Sequence, residues 1–128
     1  MGPQGAESTE ERIQTAALRL FNGLGYGATT VDDIAREAGV GVGTLYRRWR
    51  DKPALANEVY AAVVHRIGSY QAPPRARRGK KARLVELLRS FSQFAMDEPQ
   101  MLLFWVGQPH DAYLDERNRQ RQRQSEAE

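Results

Sequence analysis

The sequence contains no cysteine, which excludes disulfide staples, thiol nucleophiles and cysteine-ligated zinc, and gives no sign of an oxidising compartment. Long apolar runs are missing too. The longest, Met101 to Val106, falls far short of the ~20 residues a membrane-spanning helix needs. The N-terminal MGPQGAESTEER has neither the basic start nor the apolar stretch of a signal peptide, so a soluble, cytoplasmic chain without membrane contact is expected. No segment reads as a strand and no internal repeat is visible. The two histidines, His65 and His110, have no cysteine or acidic ligand pattern near them, so no metal site is expected. With no nucleophile–base–acid set and no phosphate-cradling glycine loop, neither an enzyme nor a cofactor is indicated.

What remains is a chain of 128 residues, enough to bury one core unaided, with a formal net charge of +3 and a pI near 9.5. So small an excess matters through its distribution. Lys and Arg gather at 47–52, 75–83 and 117–123.

Apolar spacing predicts an all-α chain. Residues 1–7, rich in Gly, Pro and polar side chains, read as disordered. Ser8 and Glu11 form a capping-box pattern, and Ile13, Ala16, Ala17, Leu20, Phe21 and Leu24 keep helical spacing, predicting a first helix to about Asn22. Gly23, Gly25 and Gly27 end it, and Tyr26 among them is expected in the core. Thr30 caps a second helix whose inner face is Val31, Ile34, Ala35 and Ala38, with Asp32 and Asp33 suited to the positive end of its dipole. Gly39 ends that helix in a left-handed conformation and lets Val40 turn inward. A third helix, from about Val42 to Trp49, buries Leu45 and Trp49 and presents Thr44, Arg47 and Arg48 on its other side. Two helices joined by so short a turn make a helix-turn-helix, with Ala35 small enough for a close crossing.

Asp51 and Pro53 open a fourth helix with a stripe of Leu55, Val59, Tyr60, Val63, Val64 and Ile67, ending near Gly68. It is expected to act as a strut leading away from the first three. The run QAPPRARRGKKAR reads as a solvated linker over 69–82. Serving as a second phosphate contact is disfavoured by distance from the presented face. Leu84, Leu87, Leu88, Phe91, Phe94 and Ala95 predict a fifth helix ending near Met96. Asp97 and Pro99 begin another around MLLFWV, a run expected to be covered on several sides. A last helix is expected from about His110 to Asp111, while RNRQRQRQSEAE holds no apolar residue but Ala127 and cannot form a core.

The stretch GYGATTVDDIAREAGVGVGTLYRRWRDKPAL resembles the TetR family of bacterial transcriptional regulators, over about Thr9 to Ile67. The telling parts are Ile34-Ala35, Ala38-Gly39-Val40, and Gly43-Thr44-Leu45-Tyr46 followed by Trp49 and Lys52. The resemblance implies a DNA-binding domain over 8–68, with its helix-turn-helix at about 30–49, and a partial effector and dimerisation region over 83–124. It places Val42, Gly43, Thr44, Arg47 and Arg48 along the major groove, and Thr30, Tyr46 and Lys52 on phosphates. Arginine can grip guanine O6 and N7, and hydroxyl, phenol and ammonium groups suit phosphate. Where many relatives carry Ser or Thr and then a polar residue, this chain has Gly41 and Val42, so base reading would rest on the arginines and on DNA shape.

The function implied is a sequence-specific transcriptional regulator, a repressor of a palindromic operator in double-stranded DNA that responds to a small apolar effector. Phe91, Phe94, Met101, Phe104 and Trp105 are the candidate effector pocket, with a plain core as the competing reading. Family members continue through further helices that form a homodimer. Either the chain is truncated here, the favoured expectation because little helix is left to cover MLLFWV, or it dimerises by another surface. The alternative is a helical ligand-binding or dimerisation module that binds no specific DNA by itself.

Overall fold

The computed structural model describes residues 8–70 and 79–127, with side chains described as far as residue 124. The expected disorder of residues 1–7 and most of the 69–82 linker lie outside the described residues. Among those described, every regular element is helical: α1 (Thr9–Leu24), α2 (Val31–Ala38), α3 (Val42–Arg48), α4 (Lys52–Ser69), α5 (Lys80–Asp97), α6 (Pro99–Gly107), a 3₁₀ turn (His110–Ala112) and α7 (Glu116–Ala127).

Local chemistry explains the first four helix ends. Glu11 N donates to the Ser8 hydroxyl at 3.1 Å and starts α1, which runs to Leu24, two residues beyond the expected end. Asp33 N donates to Thr30 Oγ1 at 3.0 Å while Thr30 N donates to Asp33 Oδ2 at 3.1 Å, a reciprocal capping box on α2. That backbone hydrogen bond from Thr30 holds the Asp33 carboxyl below its usual range. At the other end Gly39 adopts φ +72°, and Val40 N and Gly39 N donate to the carbonyls of Ala35 and Arg36 at 2.9 and 3.1 Å. This is a Schellman closure, which favours glycine at the left-handed position. Arg12 of α1 donates to the Ala38 carbonyl at 2.6 Å and brings a cation to the negative end of α2. Asp51 Oδ1 accepts from Ala54 N at 2.9 Å and opens α4, with Pro53 in the first turn where its missing N–H leaves nothing unsatisfied.

These four helices bury Ile13, Ala17, Phe21, Ile34, Ala35, Leu45, Trp49, Leu55, Tyr60 and Val63 in one cluster, which Phe104, Tyr113 and Leu114 enter from the C-terminal part. Phe104 stacks on Phe21 at 6.3 Å between ring centroids, and Tyr113 on Tyr26 at 4.8 Å. One apolar cluster therefore runs from α1 to the 3₁₀ turn.

The C-terminal half departs from expectation in three places. Helix α5 starts at Lys80, four residues ahead of Leu84, so lysines occupy its first turn. The apolar run of α6 is not covered all round: Phe104 is fully buried, but Leu103 and Val106 are 53% and 68% exposed. Residues 110–112 form only a 3₁₀ turn, and the last helix begins at Glu116, where Asp115 Oδ1 accepts from Asn118 N at 2.9 Å.

Helix α7 has no apolar side chain before Ala127, yet it docks on α4. Polar satisfaction holds it there. Buried Asn118 donates to the carbonyl and the side-chain oxygen of Asn57, both at 3.0 Å, and buried Asn57 donates to the carbonyls of Pro53 and Tyr113 at 2.8 Å. Asp115 N donates to Asn57 Oδ1 at 2.8 Å, so the Asn57 amide is used on both sides.

Candidate nucleic-acid interface

Helix α3 is two turns long and is positioned by its buried flank. Leu45 is fully buried, Trp49 nearly so, and Val42 packs half-buried against the same cluster. The outward face is Gly43, Tyr46 and Arg47, at i, i+3 and i+4, and exposed Arg50 follows past the helix end, after the extended Trp49. Tyr46 is 49% exposed. Arg47 is exposed and makes no hydrogen bond or ion pair among the described residues. Thr44 lies half-buried at the edge of this face, with its N–H donating to the Gly41 carbonyl at 3.1 Å.

Arg48 sits elsewhere. Its Nε donates to Glu10 Oε1 of α1 at 2.9 Å, and its terminal nitrogen donates to Glu58 Oε1 of α4 at 2.8 Å. The guanidinium also lies 5.3 Å from the Trp49 ring centroid. Glu58 uses its second oxygen to accept from the Trp49 indole N–H. The hydrogen bond to Glu10, then the charge of Glu58, pushes the Arg48 pKa further up. Arg48 thus joins three helices, whereas Arg47 beside it is unengaged. The signal was available in the spacing, because Arg48 is three residues from Leu45 and so lies on the flank of a buried side chain. Its acidic partners, Glu10 and Glu58, could not be found that way, being far off in sequence.

Thr30 uses its oxygen as the α2 cap, leaving an exposed hydroxyl proton free to donate. Lys52 points back into the fold: Nζ donates to the carbonyls of Tyr26 and Thr29 at 2.8 and 3.0 Å and lies 4.2 Å from the Tyr26 ring centroid. Burial, then the charge of Asp51, pushes the Tyr26 phenol up. Lys52 therefore staples the α1–α2 loop to α4 and has one N–H left. Of the expected contact residues, Gly43, Thr44, Tyr46 and Arg47 share or border one face of α3, and Thr30 is exposed at the start of α2. Val42 and Lys52 are turned toward the protein, while Arg48 stays exposed but is paired with Glu10 and Glu58.

The expected effector pocket is dispersed. Phe91 and Phe94 line a groove of 270 Å³ with Ile67, Tyr70, Leu87 and Leu88, between the end of α4 and α5. Met101 lines a different groove beside α1, Trp105 a third between α4 and α7, and Phe104 is core.

Residues 13–59 match the family described as bacterial regulatory proteins, tetR family. This stretch, which holds the helix-turn-helix, is similar to the TetR family. The matched segment covers α2 and α3 whole, with most of α1 and the first half of α4. The HTH-type transcriptional regulator AcrR of Shigella flexneri is 35% identical over 68 residues, 53% of this chain and 32% of that relative. Among solved structures, a protein assigned to the TetR family from Shewanella sp. PV-4 aligns with a TM-score of 0.70 at 28% identity, over 81% of this chain and 57% of that one. The flavonoid-responsive regulator FrrA aligns with a TM-score of 0.60 at 26% identity, over 75% of this chain and 48% of its own. The chain thus spans about a third of that curated relative and about half of these structures. The TetR-family relatives are named as transcriptional regulators, and the fold they share is all-helical.

Proposed function

We propose that this chain is a sequence-specific DNA-binding transcriptional regulator, acting as a ligand-responsive repressor on a palindromic operator. The observation that carries the reading is the outer face of α3. An unengaged arginine, Arg47, stands beside half-exposed Tyr46 on a helix whose opposite flank is locked by Leu45, Trp49 and the Arg48 ion pairs. Such a face suits the major groove, where Arg47 can read a guanine edge while Tyr46 and the Thr30 hydroxyl hold phosphates. Gly43 lets the backbone approach closely.

A repressor of a palindrome needs two copies of this face. Helix α5 supports pairing, since Leu84, Leu87, Leu88 and Phe91 recur at i, i+3, i+4 and i+7 and are all more than half exposed. Homodimerisation in the full-length form would cover them. The adjoining groove lined by Phe91 and Phe94 has the apolar chemistry of a small-effector site. A ligand there would press on the end of α4, whose Glu58 holds Arg48 and Trp49 of α3.

The test is selection of bound sequences from random duplex DNA with the whole chain. Enrichment of a palindrome, lost with Arg47→Ala, is expected. A chain that enriches nothing, and sediments as a monomer at micromolar concentration, would instead be a helical module that binds no specific DNA by itself.

A further inference from the structure

Next to the end of α3 a further groove, of 540 Å³, opens between that end, the first half of α4 and the start of α7; its walls include Trp49, Arg50, Asn57, Glu58, Arg117 and Arg121. The acidic groups in it are committed. Glu58 accepts from Arg48 and Trp49 with one oxygen each, and Asp115 caps α7. Of its cations Arg48 is paired as well, but the other three keep donors to spare. Arg117 is exposed and has no hydrogen bond or ion pair among the described residues, and Arg50, 89% exposed along its side chain, reaches Asp51 only at 3.8 Å. Arg121 gives one N–H to Asn118 Oδ1 at 3.1 Å and keeps four donors.

The arginines of α7 divide by face. Arg117 and Arg121, one turn apart, flank the buried Asn118 and border the groove. Arg119 instead donates to the Leu114 carbonyl at 3.0 Å, and Arg123 pairs with Glu116 at 2.9 Å. The Asn57–Asn118 network fixes α7 so that Arg117 and Arg121 line the same groove as Arg50. Arg50, three residues after Arg47 and past the end of α3, lines the groove, so the cationic surface of the groove begins at the end of the helix that carries Tyr46 and Arg47.

We infer that this surface binds the phosphate backbone of DNA flanking the bases read by α3, with Arg50, Arg117 and Arg121 as the contacts. The inference rests on the DNA-binding reading above. Its chemistry is sequence-independent, because guanidinium on phosphate releases counterions whatever the bases are.

The experiment measures affinity for the selected duplex across a range of KCl concentrations, using the whole chain, with Arg117→Ala, Arg50→Ala, and Arg119→Ala as the control on the other face. Arg117→Ala and Arg50→Ala are each expected to reduce the slope of log affinity against log salt by about 1 and to weaken selected and scrambled flanks alike. Arg119→Ala should leave the slope unchanged. Melting temperatures report whether each variant is folded, and Arg117 holds nothing whose loss would unfold the chain. An unchanged slope in Arg117→Ala, or an equal reduction in Arg119→Ala, overturns the inference while leaving the DNA-binding reading intact. A wild-type chain that binds no duplex overturns both.

Discussion

Arg48 and Glu58 meet at 2.8 Å across the junction of α3 and α4, while Arg47, one residue earlier, makes no hydrogen bond or ion pair among the described residues. Two adjacent arginines in the same helix therefore have opposite tasks. Arg48→Ala and Glu58→Gln should both lower the melting temperature, and the double variant should lose less than the two losses added, because the second change removes a partner already absent. Arg47→Ala should leave the melting temperature unchanged and weaken binding to the selected duplex about 10- to 100-fold. Thermal unfolding and fluorescence anisotropy on the same samples separate the two.

Asn57 holds α7 through bonds that no apolar contact can replace. Asn57→Ala leaves the Tyr113 carbonyl and the Asp115 N–H without this partner and strips buried Asn118 of one of its two acceptors, which should cost about 1–3 kcal/mol in urea unfolding. Loss of α7 helicity in the far-ultraviolet spectrum should accompany it. Asn118→Ala should give the same helicity loss, since it cuts the other side of the same network.

Gly39 stands at φ +72°, where an added Cβ would also approach the Arg12 guanidinium to 3.0 Å. Gly39→Ala should destabilise by about 1–2 kcal/mol, the cost of a left-handed conformation for an L side chain. Gly43→Ala offers the contrast: a Cβ there meets open space, so stability should not fall, and any loss of DNA affinity would report close approach at the interface.

His110 lies among Tyr60, Phe104 and Tyr113, and burial pushes its pKa below the ordinary histidine value. The folded state thus prefers the neutral ring, and its contribution to stability is complete above the unfolded pKa of about 6.5. That contribution is lost as pH falls from there through the depressed folded value, because the unfolded chain takes up the proton first. The melting temperature should drop between about pH 7 and pH 5, and His110→Gln should flatten that part of the profile.

Much of α1 to α4 was legible in the sequence because local signals agreed: Ser8, Thr30 and Asp51 as caps, Gly39 as a stop, and apolar spacing on each inner face. Trp49 and Leu45 were readable as core for the same reason. What escaped was set by contacts distant in sequence. Spacing put Arg48 near the outer face, but Glu10 and Glu58 draw it inward; Lys52 looked like a free ammonium, but the carbonyls of Tyr26 and Thr29 receive it. Helix α7 was illegible as a docked element because it is held by asparagine amides, which leave no periodic apolar pattern. Of the five apolar residues grouped as a pocket, Phe91 and Phe94 line one groove, while packing of α6 on α1 draws Phe104 into the core and away from Phe91.

The central claim, that the Tyr46–Arg47 face of α3 reads DNA sequence, is tested most directly by substituting each base pair of the selected half-site in turn and measuring the affinity of wild type and Arg47→Ala. The account predicts that wild type loses about 1–3 kcal/mol at a guanine position in each half-site, and that Arg47→Ala is indifferent to that position while keeping the other preferences. An Arg47→Ala profile that parallels wild type at every position would contradict it.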